Sequence, residues 1–125
     1  MDKVKRIARK AKRELKGNLD VAEIVRYLET YGYSVVLYNT PDGDKEIERY
    51  KLMRYKNTLK AFTYVKNARI VFIDGSKHPD DRFYLLLHEL GHVLLGHIGD
   101  GKTAWRNQIL IDIEADAFAY EMIRR

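Results

Sequence analysis

The chain has no cysteine. That excludes a disulfide framework and any structural zinc site built on thiolates, and it fits a reducing cytoplasm. It also excludes zinc hydrolases that use a cysteine ligand. Only two prolines occur, and no repeat or low-complexity segment is visible. No window is long and apolar enough to cross a bilayer. The charged N-terminus is not followed by the apolar stretch of a signal peptide. With 125 residues, 46% of them hydrophobic, the composition is that of one folded domain with a modest core.

The net charge of +5 is unevenly spread. Residues Met1 to Lys16 hold eight Lys/Arg against Asp2 and Glu14, a net of +6, which leaves about −1 for the rest. Val4, Ile7, Ala8, Ala11 and Leu15 form one stripe of this segment, and cations fill most of the remainder. The favoured reading is a solvated amphipathic helix docked by its apolar stripe. Direct nucleic-acid contact through the basic face is the sharper alternative and is not favoured, because no helix-turn-helix or RNA-binding signature accompanies it. Without Trp or Phe, the stripe is a weak membrane binder.

The strongest signal is His88-Glu89-Leu90-Gly91-His92, an H-E-x-x-H pattern inside the apolar run Phe83 to Leu95. On a helix, residues four apart share a face, so both imidazoles aim at one point. Two such nitrogens are what a tetrahedral zinc ion needs from its first two ligands. Glu89, one position round, can act on a water without being a ligand. Pro79, Asp80 and Asp81 supply a helix start with an acidic first turn. The apolar residues nearly encircle this helix, which marks it as central and buried. Two histidines and a glutamate there are costly unless partnered, and a metal uses all three. The residues point to a zinc-dependent hydrolase acting on peptides, with Glu89 as general base. Manganese or iron could occupy the same ligands.

Catalytic zinc keeps three protein ligands and an open position. Without cysteine, the third is His, Asp or Glu. The segment Asn107 to Arg125 reads as a helix and offers Asp112, Glu114, Asp116 and Glu121. Glu114 sits mid-arc among Leu110, Ile111, Ala117 and Phe118, and a carboxylate on a core-facing stripe needs a partner. Asp112 and Asp116 project to the opposite side of that wheel. Glu114 is therefore the expected third ligand. His97 is the rival, but it follows Gly96 one residue too early for a third-histidine motif. It reads as a helix-end residue lining the cleft. The second ring nitrogens of His88 and His92 require carboxylate or carbonyl partners. Asp112 and Asp116 have the right chemistry for that role, although the wheel turns them away. Tyr84, His97 and Tyr120 are equal candidates for stabilising an oxyanion.

The remaining segments predict a helix closed by Gly17, and a second one capped by Asn18 or Asp20 and ended by Gly32. Tyr33 to Tyr38 reads as a strand, Asn39 to Asp44 as a turn, and Glu46 to Tyr55 as either helix or strand. Thr58 to Val65 alternates and Arg69 to Ile73 is apolar, which gives an antiparallel hairpin turning at Lys66-Asn67-Ala68. A glycine-rich loop, Ile98 to Gly101, precedes the last helix. The order is α-α-β-β-β-α-α, an α+β domain with a small, largely antiparallel sheet packed with helices. A strand edge beside the motif helix can pair with an extended substrate backbone.

Two blocks carry a family resemblance. Arg82 to His97 (RFYLLLHELGHVLLGH) resembles the active helix of the ImmA/IrrE metallopeptidases. Glu114-Ala115-Asp116-Ala117-Phe118-Ala119 is similar to that family's E-A-x-x-F-A signature. The resemblance covers roughly Leu59 to Met122, about half the chain. It implies a gluzincin-like, minimal zincin fold with one zinc on His88, His92 and Glu114, and Glu89 as base. It also implies a protein substrate, a helix-turn-helix repressor of a phage or mobile element encoded nearby. The expected layout is one metallopeptidase-like domain over residues 1–125. It has a basic helix at 1–17, a hairpin at 58–74, an active-site helix at 80–97 and a third-ligand helix at 107–124.

Overall fold

The computed structural model describes residues 1–98 and 108–124. In chain order the elements are α1 (Asp2–Glu14), α2 (Val21–Thr30), β1 (Ser34–Tyr38), α3 (Pro41–Arg49), α4 (Met53–Thr58), β2 (Ala61–Tyr64), β3 (Ile70–Asp74), α5 (Pro79–Leu94) and α6 (Gln108–Ile123). This is the expected α+β class. Most of the glycine-rich loop expected over Ile98 to Gly101 lies outside the described residues, as do Asn107 and Arg125.

The three strands lie in the order β1-β3-β2. β2 and β3 form the antiparallel hairpin, with Phe62 opposite Phe72. β1 runs parallel to β3, with Val36 opposite Phe72. The sheet is therefore mixed and not largely antiparallel. The reason is the segment after β1, which folds as two helices and carries the chain back across the sheet, as a parallel pairing requires. The expected turn at Asn39 to Asp44 is the first turn of α3. Thr40 caps it by accepting from the Gly43 amide at 3.1 Å, and Pro41 takes the first helical position. A Thr-Pro-Asp-Gly run reads equally well as a turn, because a helix begins with the same backbone geometry. Gly43 is required there, since a Cβ would stand 1.6 Å from the Leu37 carbonyl oxygen.

β3 is buried along its whole length and divides the core. Val71 and Ile73 pack with α1, α2, α5 and α6 residues such as Ala8, Leu28, Leu87 and Phe118. Ile70 and Phe72 face the other way, onto Tyr38, Ile47 and Leu52. Alternation along β2 sends Phe62 and Tyr64 to the second cluster and Ala61 and Val65 to the first. Thr63 shares the latter face and so looks toward α5.

The basic N-terminal helix is docked by its stripe, with Val4, Ala8, Ala11 and Leu15 all buried. Lys12 Nζ donates to the Arg124 carbonyl at 2.7 Å, which ties α1 to the end of α6. Lys3, Lys5, Arg6, Arg9, Arg13 and Lys16 are exposed. Among the described residues, no helix is long and apolar enough to cross a membrane.

Candidate metal centre

α5 starts where local sequence signals place it. His78 is the N-cap, its Nδ1 accepting from the Asp80 amide at 3.1 Å, and Pro79 and the two aspartates fill the first turn. Its central turns are buried at Leu86, Leu87, Glu89, Leu90, Gly91 and His92. α6 crosses it closely at Gly91, where a Cβ would lie 3.0 Å from the Phe118 ring. A cleft of about 720 Å³ opens between β2, α5 and α6, and Thr63, His88, Glu89, His92, His97 and Asp112 all line it.

Within the cleft, His88 Nε2 and His92 Nε2 stand 3.0 Å apart. Asp112 Oδ1 lies 3.3 Å from His92 Nε2 and 3.7 Å from His88 Nε2. Among the described residues, these three form the one group able to hold a metal ion. Their spacing matches a tetrahedral zinc, whose ligand atoms at ~2.1 Å from the ion are separated by about 3.4 Å. The donor set, two imidazoles and a carboxylate, is also one that zinc takes.

Glu114, the expected third ligand, does not join this group. Its Oε1 is 2.8 Å from His97 Nε2. The difference is a rotation of α6 by roughly a quarter-turn, at 3.6 residues per turn. Apolar residues surround this helix, so bulk alone does not define an inner face. Ile109, Leu110, Ile113, Tyr120 and Ile123 are exposed, whereas Ala115, Phe118, Ala119 and Met122 are buried. The small alanines allow close approach and set the contact face, and Asp112 falls at its edge. Asp112 and Asp116, expected to point away, are the two carboxylates that meet His88 and His92.

Each imidazole also has a partner for its other nitrogen. His88 Nδ1 is 2.8 Å from Asp116 Oδ1, and the Tyr84 hydroxyl donates to the same oxygen at 2.5 Å. Burial and this bond push the Tyr84 phenol up to about 12. His92 Nδ1 is 3.0 Å from His97 Nδ1. Burial, then the neighbouring His88 and His97, lower the His92 pKa to about 4. A neutral imidazole with a free Nε2 lone pair is the form a metal requires.

Glu89 is 5% exposed and projects toward β2. Thr63 Oγ1 donates to its Oε1 at 2.8 Å. Burial raises the Glu89 pKa to about 6, although the Thr63 bond acts in the opposite sense. Thr63 has no motif to mark it in the sequence. The only available signal is a hydroxyl on the α5-facing side of an alternating strand. Tyr84 and His97 line the cleft, but Tyr120, the third oxyanion candidate, is 64% exposed and does not line it.

A small α+β domain with an H-E-x-x-H helix beside a carboxylate-bearing helix has the form of a metallopeptidase. The chain matches the family model of the IrrE N-terminal-like domain, Peptidase_M78, over residues 42–123. It belongs to this peptidase family. No curated protein and no solved structure gave a significant match.

Proposed function

We propose that the protein is a zinc-dependent endopeptidase whose metal is held by His88, His92 and Asp112, with Glu89 as general base. The observation that carries this reading is the convergence of two imidazole Nε2 atoms and one carboxylate oxygen within 3.7 Å of one another at the cleft wall. A divalent ion on these ligands would acidify a water and polarise a substrate carbonyl. Glu89 Oε1 is engaged by Thr63, which leaves Oε2 to accept the proton of the attacking water and return it to the leaving amine. With its carboxyl near 6, Glu89 is ionised at neutral pH yet basic enough to hold a proton in transit.

The substrate would lie along β2, which forms one edge of the sheet and one wall of the cleft. An extended segment there can add backbone hydrogen bonds to the strand. Cleavage of a helix-turn-helix repressor in the cytoplasm is the finer part of the proposal, and its support is the family resemblance together with the absence of cysteine.

The first experiment is the metal content of the purified protein by elemental mass spectrometry, beside His88→Ala. About one zinc per chain, lost in the variant, is the expected result. Incubation with a repressor encoded nearby should then yield two fragments with wild type and none with Glu89→Gln. Protein that takes up no zinc even when it is supplied would end the reading.

A further inference from the structure

The end of α5 is built so that one histidine lies over another. Gly96 has φ +74°, a left-handed conformation that favours glycine. The Gly96 amide bonds to the Val93 carbonyl at 3.3 Å and the His97 amide to the His92 carbonyl at 2.9 Å. These two bonds define a Schellman cap, in which the residue after the glycine folds back over the residue five before it. An apolar contact usually joins those two positions. Here both are imidazoles, with His92 Nδ1 and His97 Nδ1 3.0 Å apart. Beyond His97, Glu114 Oε1 lies 2.8 Å from His97 Nε2. The His97 side chain is 8% exposed and that of Glu114 is 28% exposed.

The placement of protons gives this chain of contacts a direction. A carboxylate only accepts, so His97 carries its proton on Nε2 and donates it to Glu114. In the neutral form of His97, Nδ1 holds a lone pair and accepts from His92 Nδ1–H. His92 Nε2 is left without a proton, facing His88 Nε2 and Asp112. His88 reaches the same state by a shorter route, because Asp116 accepts directly from its Nδ1. The two ligand histidines are thus oriented by different devices, one by a carboxylate and the other by a carboxylate acting through an imidazole.

We infer that Glu114 and His97 form a positioning relay that locks His92 in its Nδ1–H tautomer and aims its Nε2 at the metal point. The inference rests on the ligand reading above for its purpose, though not for its geometry. It assigns a role to both residues that competed for the third-ligand place, and neither is a ligand in it.

The test uses two readouts on the full chain. The first is the imidazole ¹⁵N pattern of the metal-free protein, which reports each histidine's tautomer. The second is zinc affinity measured against a chromophoric chelator. Wild type should show His92 as the Nδ1–H form. His97→Leu, which fills the space without an acceptor, should mix the His92 tautomers and weaken zinc binding on the order of 10- to 100-fold. His97→Gln restores an acceptor and should recover most of the loss. Glu114→Leu should act in the same direction but less, and should add little to His97→Leu; it also serves if His97→Leu does not fold.

A wild-type His92 protonated on Nε2, or equal effects of His97→Leu and His97→Gln, would overturn the relay. If zinc binds normally and the variants leave the His92 tautomer unchanged, the relay fails while the ligand reading survives. If the His92 pattern and its loss in His97→Leu appear but zinc never binds, the relay stands as an ordering device and the ligand reading fails.

Discussion

α5 and α6 meet across the cleft, and they supply their chemistry from opposite environments. The α5 groups are dry: Glu89 is 5% exposed and His92 8%. The α6 carboxylates are wet, with 44% of the Asp112 side chain and 56% of Asp116 accessible. The division follows from the cost of burying charge. An imidazole can be buried neutral, and burial makes it more so, which preserves its lone pair for a metal. An aspartate must stay ionised to serve as a ligand, and partial solvation keeps that inexpensive. Glu89 is the exception. It is buried against β2, where the Thr63 hydroxyl sustains its charge.

The buried side of the cleft is tested most directly at Glu89. Glu89→Gln should reduce peptide hydrolysis by about 10²- to 10⁴-fold, the range for loss of a general base, with metal content unchanged by elemental analysis. Retained turnover would remove Glu89 from the mechanism. Across the cleft, Asp112→Ala should lower zinc affinity more than Glu114→Ala does, in chelator competition. The reverse order would mean that α6 presents the other face to the metal.

Stability measurements sharpen the same contrast. Leu87 on α5 is fully buried, and Leu87→Ala should cost about 2–5 kcal/mol in urea unfolding. Gly91→Ala drives a methyl into Phe118 and should cost about 1–3 kcal/mol; a neutral effect would mean the two helices are not in close contact. Ile113 on α6 is 48% exposed, and Ile113→Ser should change stability by no more than about 0.5 kcal/mol. A large loss there would show that this face of α6 is covered in solution.

The two helices also differ in how far their residues announce them. α5 carries a first-position proline and an acidic first turn, so its start and the shared face of His88 and His92 follow from local rules, whereas it ends at Leu94, short of the expected residue 97. α6 has apolar residues on every side, and periodicity alone puts Glu114 in a core-facing place that packing assigns instead to Ala115 and Phe118. The hairpin was legible because alternation in β2 has one interpretation once a core face exists. β1's parallel pairing was not, since it depends on α3 and α4 forming from a charged stretch that suits helix and strand alike.

Legible along the chain alone are the groups whose partners are close in sequence: the His88–His92 pair, Glu89 beside it, the hairpin and the α+β class. These rest on backbone periodicity and local hydrogen bonds, which need no distant partner. Only the tertiary structure decided which α6 carboxylate meets the histidines, that Thr63 holds Glu89, and that His97 links His92 to Glu114. Each depends on the rotation of one helix or strand against another. That rotation is set by how closely small residues such as Gly91, Ala115 and Ala119 let the backbones approach, a property of the packed pair that neither segment carries alone.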